Sequence, residues 1–284
     1  MGLNAIWITG AGGLIGNALA QTAAEFMPEA AIVPLTREQL DLTDFREVRD
    51  RFRREHPGMV IHCAALSRSP ECQQNPGRAR AINVGATVLL AELAADRPLF
   101  FFSSDLVFDG RTGNYDESAP VNPLSVYAET KVEAEAFVLS NPRHTVIRTS
   151  LNGGPSPTGD RGFDEQMLRA WESGQTLRLF TDEFRCPIFA RVTARATWEL
   201  ARQAATGLFH VAGAERVSRW ELGRLVAARH PEIRARFEAA SLADYAGPPR
   251  SPDTSLKCGK AQALLSFPLP RISDELRCPE SAHC

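Results

Sequence analysis

Short apolar runs and longer stretches with apolar residues at every third or fourth position alternate along the first 150 residues. The runs at 5–9, 31–36, 59–63, 99–103 and 144–148 have the length of strands buried on both faces. Between them, Leu14–Phe26, 44–54, 81–95 and Val126–Leu139 read as helices; in the second, Phe45, Val48 and Phe52 fall at spacings of three and four. Strands and helices in this alternation predict a parallel sheet with helices packed on both faces.

The rhythm breaks after Ser150. Residues 151–160 are rich in Gly, Pro, Ser and Asp and read as a loop. A helix is expected at 162–174, a short strand at Leu177–Phe180, a helix at 190–205 and a strand at 207–212 that rejoins the sheet. A further helix at 218–230 starts at Ser218, with Glu221 three residues on as a capping box, and a loop follows at 246–252. The expected fold class is therefore α/β, a Rossmann-type doubly wound parallel sheet with a smaller C-terminal lobe. The expected division is a sheet domain at 1–150, completed by 187–212, and a lobe built from 151–186 and 213–284.

Composition narrows the classes of function. With 284 residues the chain can bury a substantial core, and a net charge of −2 gives no general attraction to nucleic acid or to an anionic membrane. No apolar stretch approaches the roughly 20 residues that span a bilayer. The first residues lack the charged region and cleavage site of a secretory signal, and the six cysteines, without paired spacing, read as reduced thiols, so a cytoplasmic location is expected. Cys278, His283 and Cys284 match no structural zinc spacing and read as a frayed terminus, with no metal expected. Only three lysines (Lys131, Lys257, Lys260) and three tyrosines (Tyr115, Tyr127, Tyr245) occur.

Thr9-Gly10-Ala-Gly12-Gly13-Leu14-Ile15-Gly16 follows the first strand and opens the first helix. Glycines allow close backbone approach there, and the free N–H groups of a helix start hold a pyrophosphate. A dinucleotide cofactor is expected. An acidic residue ending the second strand would accept hydrogen bonds from a free ribose 2′-hydroxyl. The chain has Leu35-Thr36-Arg37 instead, and the arginine fork suits a 2′-phosphate. NADP(H) is the expected cofactor, with NAD(H) left open.

Val126-Tyr127-Ala-Glu-Thr-Lys131 places a phenol and an ammonium one helical turn apart. Three tyrosines, each with about three chances in 284 of a lysine four residues on, give only about 0.03 accidental matches. A phenol of pKa about 10 is a poor acid–base at neutral pH, and a nearby ammonium lowers that value. Ser103 and Ser104 end the apolar strand at 99–103, at the edge where parallel sheets bind ligands. A serine hydroxyl there can donate to a carbonyl oxygen as charge develops on it.

These residues together resemble the extended short-chain dehydrogenase/reductase superfamily, and within it the dTDP-4-dehydrorhamnose reductase-like branch. The resemblance rests on Thr9–Gly16, Asp41-Leu-Thr-Asp44, His62-Cys-Ala-Ala65, Asn83-Val84, Ser103-Ser-Asp-Leu-Val-Phe-Asp-Gly110, Asn122-Pro-Leu-Ser-Val-Tyr127 with Lys131, and Arg148-Thr-Ser150. It continues through Gly207-Leu-Phe-His-Val-Ala-Gly213 and Arg250-Ser-Pro-Asp-Thr-Ser-Leu256, an Arg-Pro motif with one inserted residue. The resemblance implies Tyr127 as proton donor, Lys131 as the group that lowers its pKa and binds the nicotinamide ribose, and Ser104, in a position where threonine is usual, as the carbonyl-polarising hydroxyl. It implies Asp41 and Leu42 beside the adenine and Ala64 and Ala65 along the cofactor channel. The expected cofactor contacts are thus Gly10, Gly12, Gly13, Leu14, Ile15, Gly16, Arg37, Asp41, Leu42, Cys63, Ala64, Ala65, Asn83, Ser103, Tyr127, Lys131 and Arg148. Two departures concern the substrate lobe and the metal: Leu151-Asn-Gly-Gly-Pro155 replaces an aromatic stretch, and Ala18 replaces the glutamate of metal-assisted members.

The implied activity is reduction of a carbonyl on a nucleotide-linked 4-keto-6-deoxy sugar, as in dTDP-rhamnose biosynthesis. The substrate contacts expected are Ser104, Asn152, Arg185 and Arg250, with Arg161 as a further arginine for a diphosphate. Other extended-family activities stay open: a reductase or epimerase of another sugar nucleotide, or a reductase of a small carbonyl compound. A 4,6-dehydratase is disfavoured, since Leu106 stands where its second acidic residue belongs. A third reading is a non-catalytic NADP-binding regulatory subunit like the beta subunit of methionine adenosyltransferase. A homodimer is left open.

Overall fold

The computed structural model describes residues 5–277; the tail from Cys278 to Cys284 lies outside them. The first half of the chain runs β1 (Ile6–Thr9), α1 (Leu14–Phe26), β2 (Ile32–Leu35), α2 (Phe45–Glu55), β3 (Met59–His62), α3 (Ser69–Gln74), α4 (Pro76–Arg80), α5 (Ala86–Leu93), β4 (Leu99–Ser104), α6 (Val126–Leu139) and β5 (Thr145–Thr149). The second half runs β6 (Asn152–Gly153), α7 (Phe163–Glu172), β7 (Leu177–Phe180), β8 (Phe184–Arg185), β9 (Ile188–Phe189), α8 (Ala190–Arg202) and β10 (Gly207–Val211). It closes with β11 (Val217–Ser218), α9 (Arg219–Arg229), β12 (Phe237–Ala240), α10 (Gly259–Gln262) and α11 (Ile272–Arg277).

Six strands form one parallel sheet in the order β10-β5-β4-β3-β1-β2. Alternation along each strand divides the core into two layers. Ile6, Ile8, Phe100, Phe102, Ile147 and Phe209 face α1 and α8, where Leu19 and Trp198 meet them. Trp7, Val60, Phe101 and Val146 face the other way, onto Val48 and Phe52 of α2, Leu90 of α5, and Ala134 and Val138 of α6. The segment after residue 187 returns to the sheet: α8 packs on α1, where Trp198 Nε1 donates to Thr22 Oγ1 at 3.1 Å, and β10 pairs with β5. A separate apolar cluster of Phe163, Met167, Trp171, Leu222, Val226, Ile272 and Leu276 holds α7, α9 and α11 together.

The chain winds outward from β1 to β2 and then crosses to β3 on the other side. The order reverses between β1 and β3, and a crevice opens beyond their carboxyl ends. Expected and observed elements differ at 81–95. A π turn at Ala81–Gly85 links α4 to α5 there, and this wider turn turns Asn83 inward. The paired two-residue strands (β6 with β9, β8 with β11) have no signature of their own in the sequence, because two residues show no periodicity. Among the described residues no helix is long and apolar enough to cross a membrane.

Candidate active site

β1 ends at Thr9, and Gly10 turns the chain with φ +71°. A Cβ on Gly10 would lie 2.6 Å from the Ala64 nitrogen, and one on Gly16 would collide with the Gly10 oxygen. Glycine at both positions lets the loop pass between the two strand ends and lets α1 close onto it. α1 has no capping side chain and no acidic residue in its first turn. The N–H groups of Leu14, Ile15 and Gly16 therefore stay available, at the positive end of the helix dipole, for an anion. Arg37, just past β2, is exposed, and its guanidinium makes no hydrogen bond or ion pair among the described residues. Asp41 turns on itself: Thr43 N and Oγ1 donate to its Oδ1 at 2.9 and 2.7 Å and hold its carboxyl below the usual range, with Arg37 adding to the effect.

A buried histidine braces the far wall of the crevice. Thr87 Oγ1 donates to the Asn83 carbonyl at 2.7 Å, so it accepts from His62 Nε2 at 3.0 Å. His62 Nδ1 then accepts from Thr9 Oγ1 at 2.7 Å, and that hydroxyl accepts the Ala64 N–H at 3.4 Å. Burial pushes His62 down to about 3, with Lys131 pushing the same way, so the ring stays neutral as this chain of bonds requires. Cys63 lies between these groups, and burial raises its thiol far out of the reactive range.

α6 brings Tyr127 and Lys131 to the end of β4, both buried. Lys131 Nζ donates to the Phe102 carbonyl at 2.8 Å and stands 4.6 Å from the Phe101 ring centroid and 5.9 Å from that of Tyr127. Burial pushes this ammonium down to about 8. The Tyr127 phenol is raised well above its ordinary range, first by burial and then by the Asp105 carboxylate, against a hydrogen bond with Ser104. Ser104 Oγ donates to Asp105 Oδ1 at 3.2 Å and accepts the Leu106 N–H at 3.2 Å. The neighbouring Ser103 hydroxyl is buried with no partner among the described residues, and an orphan of that kind calls for a partner from outside the chain. The glycine cradle, the open helix start, free Arg37 and orphan Ser103 fit a phosphorylated dinucleotide.

Several other expected contacts are spent inside the protein. Asn83 Oδ1 accepts from Leu66 N at 2.7 Å and its Nδ2 donates to Leu66 O and Thr130 Oγ1, so it shapes the loop beside the crevice and has no amide directed at a ligand. Arg148 forks onto both oxygens of Glu135 at 2.9 and 2.6 Å and joins β5 to α6 as a buried strut. Asn152 donates to Thr149 Oγ1 and Ser150 O and accepts from Thr193 Oγ1 at 2.7 Å.

The two expected substrate arginines are neutralised by carboxylates. Arg185 donates to Ser251 O at 3.0 Å and pairs with Glu183 at 3.0 Å and Asp105 at 3.7 Å. Arg250 forks onto Glu183 at 2.8 and 2.9 Å. Asp105 Oδ2 also accepts from Ser150 Oγ at 2.7 Å and Thr254 Oγ1 at 2.9 Å, which links Ser104 to the C-terminal loop. Arg161 pairs with Asp160 beside a cleft of about 910 Å³ that Arg68, Gln74, Gln166 and Arg169 help to line. That cleft contains none of Ser104, Tyr127 and Lys131.

The RmlD substrate binding domain description matches residues 4–278. The chain belongs to that family. Among its relatives, "Probable low-salt glycan biosynthesis reductase Agl14" of Haloferax volcanii is 30% identical over 97% of both chains. A dTDP-4-dehydrorhamnose reductase of Sinorhizobium fredii is 30% identical over 95% of this chain and 94% of its own. The crystal structure of dTDP-4-dehydrorhamnose reductase from Bacillus anthracis in complex with NADP has the same fold, with a TM-score of 0.87 at 22% identity, covering 96% of this chain and 97% of that one.

Within this RmlD-family chain, three groups at the site escape a reading of the sequence. Asp105 is visible only as the neighbour of Ser104, yet it binds both the serine and the C-terminal loop. Glu183 is 2% exposed in a segment with no helical or strand pattern, and it holds two arginines. Arg219, the first residue of α9, lies among the same charges. A helix-start residue in a charged lobe gives no sequence signal for such a place.

Proposed function

We propose that this chain is an NADPH-dependent oxidoreductase that reduces a carbonyl group on a nucleotide-linked 4-keto-6-deoxy sugar. The observation that carries this reading is the meeting of Tyr127, Ser104 and Lys131 at the end of β4, beside a glycine loop with an uncapped helix start. Membership of the RmlD family and the reductases among its relatives support it.

Gly10 to Gly16 would hold the pyrophosphate, Arg37 the 2′-phosphate, and Lys131 and Ser103 the nicotinamide end; when bound, the cofactor supplies the hydride. Reduction needs a proton at the substrate oxygen, so the useful form of Tyr127 is the neutral phenol. Burial favours that form. Tyr127 gives its proton to the oxygen as the bond to carbon changes order. Ser104 swings its O–H from Asp105 to the same oxygen and stabilises the charge that develops on it. Lys131, protonated below pH about 8, steadies the phenolate left behind.

Incubating the protein with NADPH and dTDP-4-keto-6-deoxyglucose tests the reading: NADPH oxidation is expected, and Tyr127→Phe removes it. Wild-type turnover no faster than that of the variant overturns the proposal.

A further inference from the structure

A small antiparallel ladder carries the charges next to the site. β8 pairs with β11 through Val217↔Arg185 and Ser218↔Phe184, and the Arg219 N–H extends it to the Glu183 carbonyl at 2.9 Å. Residues two apart on a strand share a face, so Glu183, Arg185 and Arg219 stand on one side of this ladder. Asp105 reaches the group from the end of β4 and Arg250 from the C-terminal loop. The cluster thus holds two carboxylates against three guanidinium groups.

The three arginines differ in what they hold. Arg185 and Arg250 share Glu183, at 3.0 and 2.8 Å, and Arg185 also meets Asp105 at 3.7 Å. Arg219 makes no side-chain hydrogen bond or ion pair among the described residues. It is partly buried, and burial makes its charged form costly; the Glu183 and Asp105 carboxylates offset that cost in part, while Arg185 and Arg250, which those carboxylates bond directly, add like charge. The next ion pair along, Arg216 with Asp253 at 2.7 Å, is closed on itself and lends no counter-charge. A guanidinium kept out of water with one positive charge in excess around it is a receptor for an anion.

We propose that Arg219 is the residue that grips the diphosphate of the sugar nucleotide, in place of Arg185 and Arg250, whose charge Glu183 and Asp105 already answer. The assignment rests on the sugar-nucleotide reading above. It makes Glu183 a specificity element: it keeps two arginines out of the binding set and leaves a single fork to meet the ligand.

Calorimetric titration of the NADP-loaded protein with dTDP and with thymidine is the test. Wild type is expected to bind dTDP more tightly than thymidine. Arg219→Gln should weaken dTDP binding roughly 10- to 100-fold, the loss expected for charge-assisted hydrogen bonds, and leave thymidine binding unchanged. Arg219→Lys should retain part of the affinity. The melting temperature of both variants should match wild type, since no internal partner is lost, and in turnover KM should rise while kcat is kept. Equal dTDP affinity in wild type and Arg219→Gln overturns the assignment, as does a wild type that binds dTDP no better than thymidine. The two readings fail separately. Arg219-dependent dTDP binding without NADPH oxidation sinks the reductase and keeps the anion site, and turnover with an unchanged KM in Arg219→Gln does the reverse.

Discussion

At the mouth of the sheet, polar groups are left without partners: the N–H groups of Leu14, Ile15 and Gly16, the Ser103 hydroxyl and the Arg37 guanidinium all face outward or stand alone. Beyond β5, polar groups are nearly all answered. Asn152, Arg185 and Arg250 each have internal partners, and Asp105 and Glu183 tie four segments together. The first region stores unmet bonding capacity on rigid backbone, ready for a ligand. The second spends most of its capacity on holding a loop-built lobe together, and among the described residues Arg219 is left without a side-chain hydrogen bond or ion pair. The contrast shows that residue type alone does not mark a binding residue; a side chain must be in place and still free.

The sharpest way to break this contrast is to remove one group from each region. Glu183→Ala should cost about 3–5 kcal/mol of stability, because it leaves the buried Arg185 with only the more distant Asp105 as counter-charge; chemical denaturation reads the loss. Ser103→Ala should leave stability within about 0.5 kcal/mol of wild type, since that hydroxyl has nothing to lose, while NADPH binding weakens. Equal losses in the two variants would erase the distinction between the regions.

Effects on the reaction follow. Tyr127→Phe keeps the ring and its packing but removes the proton, and NADPH oxidation should fall by roughly 10²–10⁴-fold with the fold intact by circular dichroism. Gly10→Ala should destabilise by about 1–3 kcal/mol, since its φ of +71° and the nearby Ala64 backbone both oppose a Cβ. Arg37→Ser should raise KM for NADPH roughly tenfold and leave that for NADH unchanged, as expected for one charged hydrogen-bonding pair; an equal effect on both would remove the 2′-phosphate assignment.

The smallest effect is in pH. Lys131 is charged below about 8 and neutral above it, so kcat/KM should decline on the alkaline side from about pH 8. The sign for stability is the opposite. The unfolded chain holds this proton up to the ordinary lysine value of 10.5 while the folded, cofactor-free protein releases it near 8, so between those values folding gains as pH rises. Lys131→Met should remove that rise; an unchanged slope in denaturation measurements would count against a buried ammonium.

The alternating fold, the glycine loop and the Tyr127–Lys131 pair were legible before any folding, because each is written in local spacing. Strand period, helix period, a positive-φ glycine and an i,i+4 pair need only neighbouring residues, and the backbone carries them wherever the segment folds. Tertiary structure alone decided the fate of long polar side chains. Arg148 found Glu135 thirteen residues away, Arg250 found Glu183 sixty-seven away, and Asp105 found Thr254 one hundred and forty-nine away. It also decided that burial and the Asp105 carboxylate raise the Tyr127 phenol. A buried charge takes the nearest counter-charge the fold provides, since leaving it bare costs several kcal/mol. Which counter-charge is nearest depends on how loops from distant parts of the chain come together.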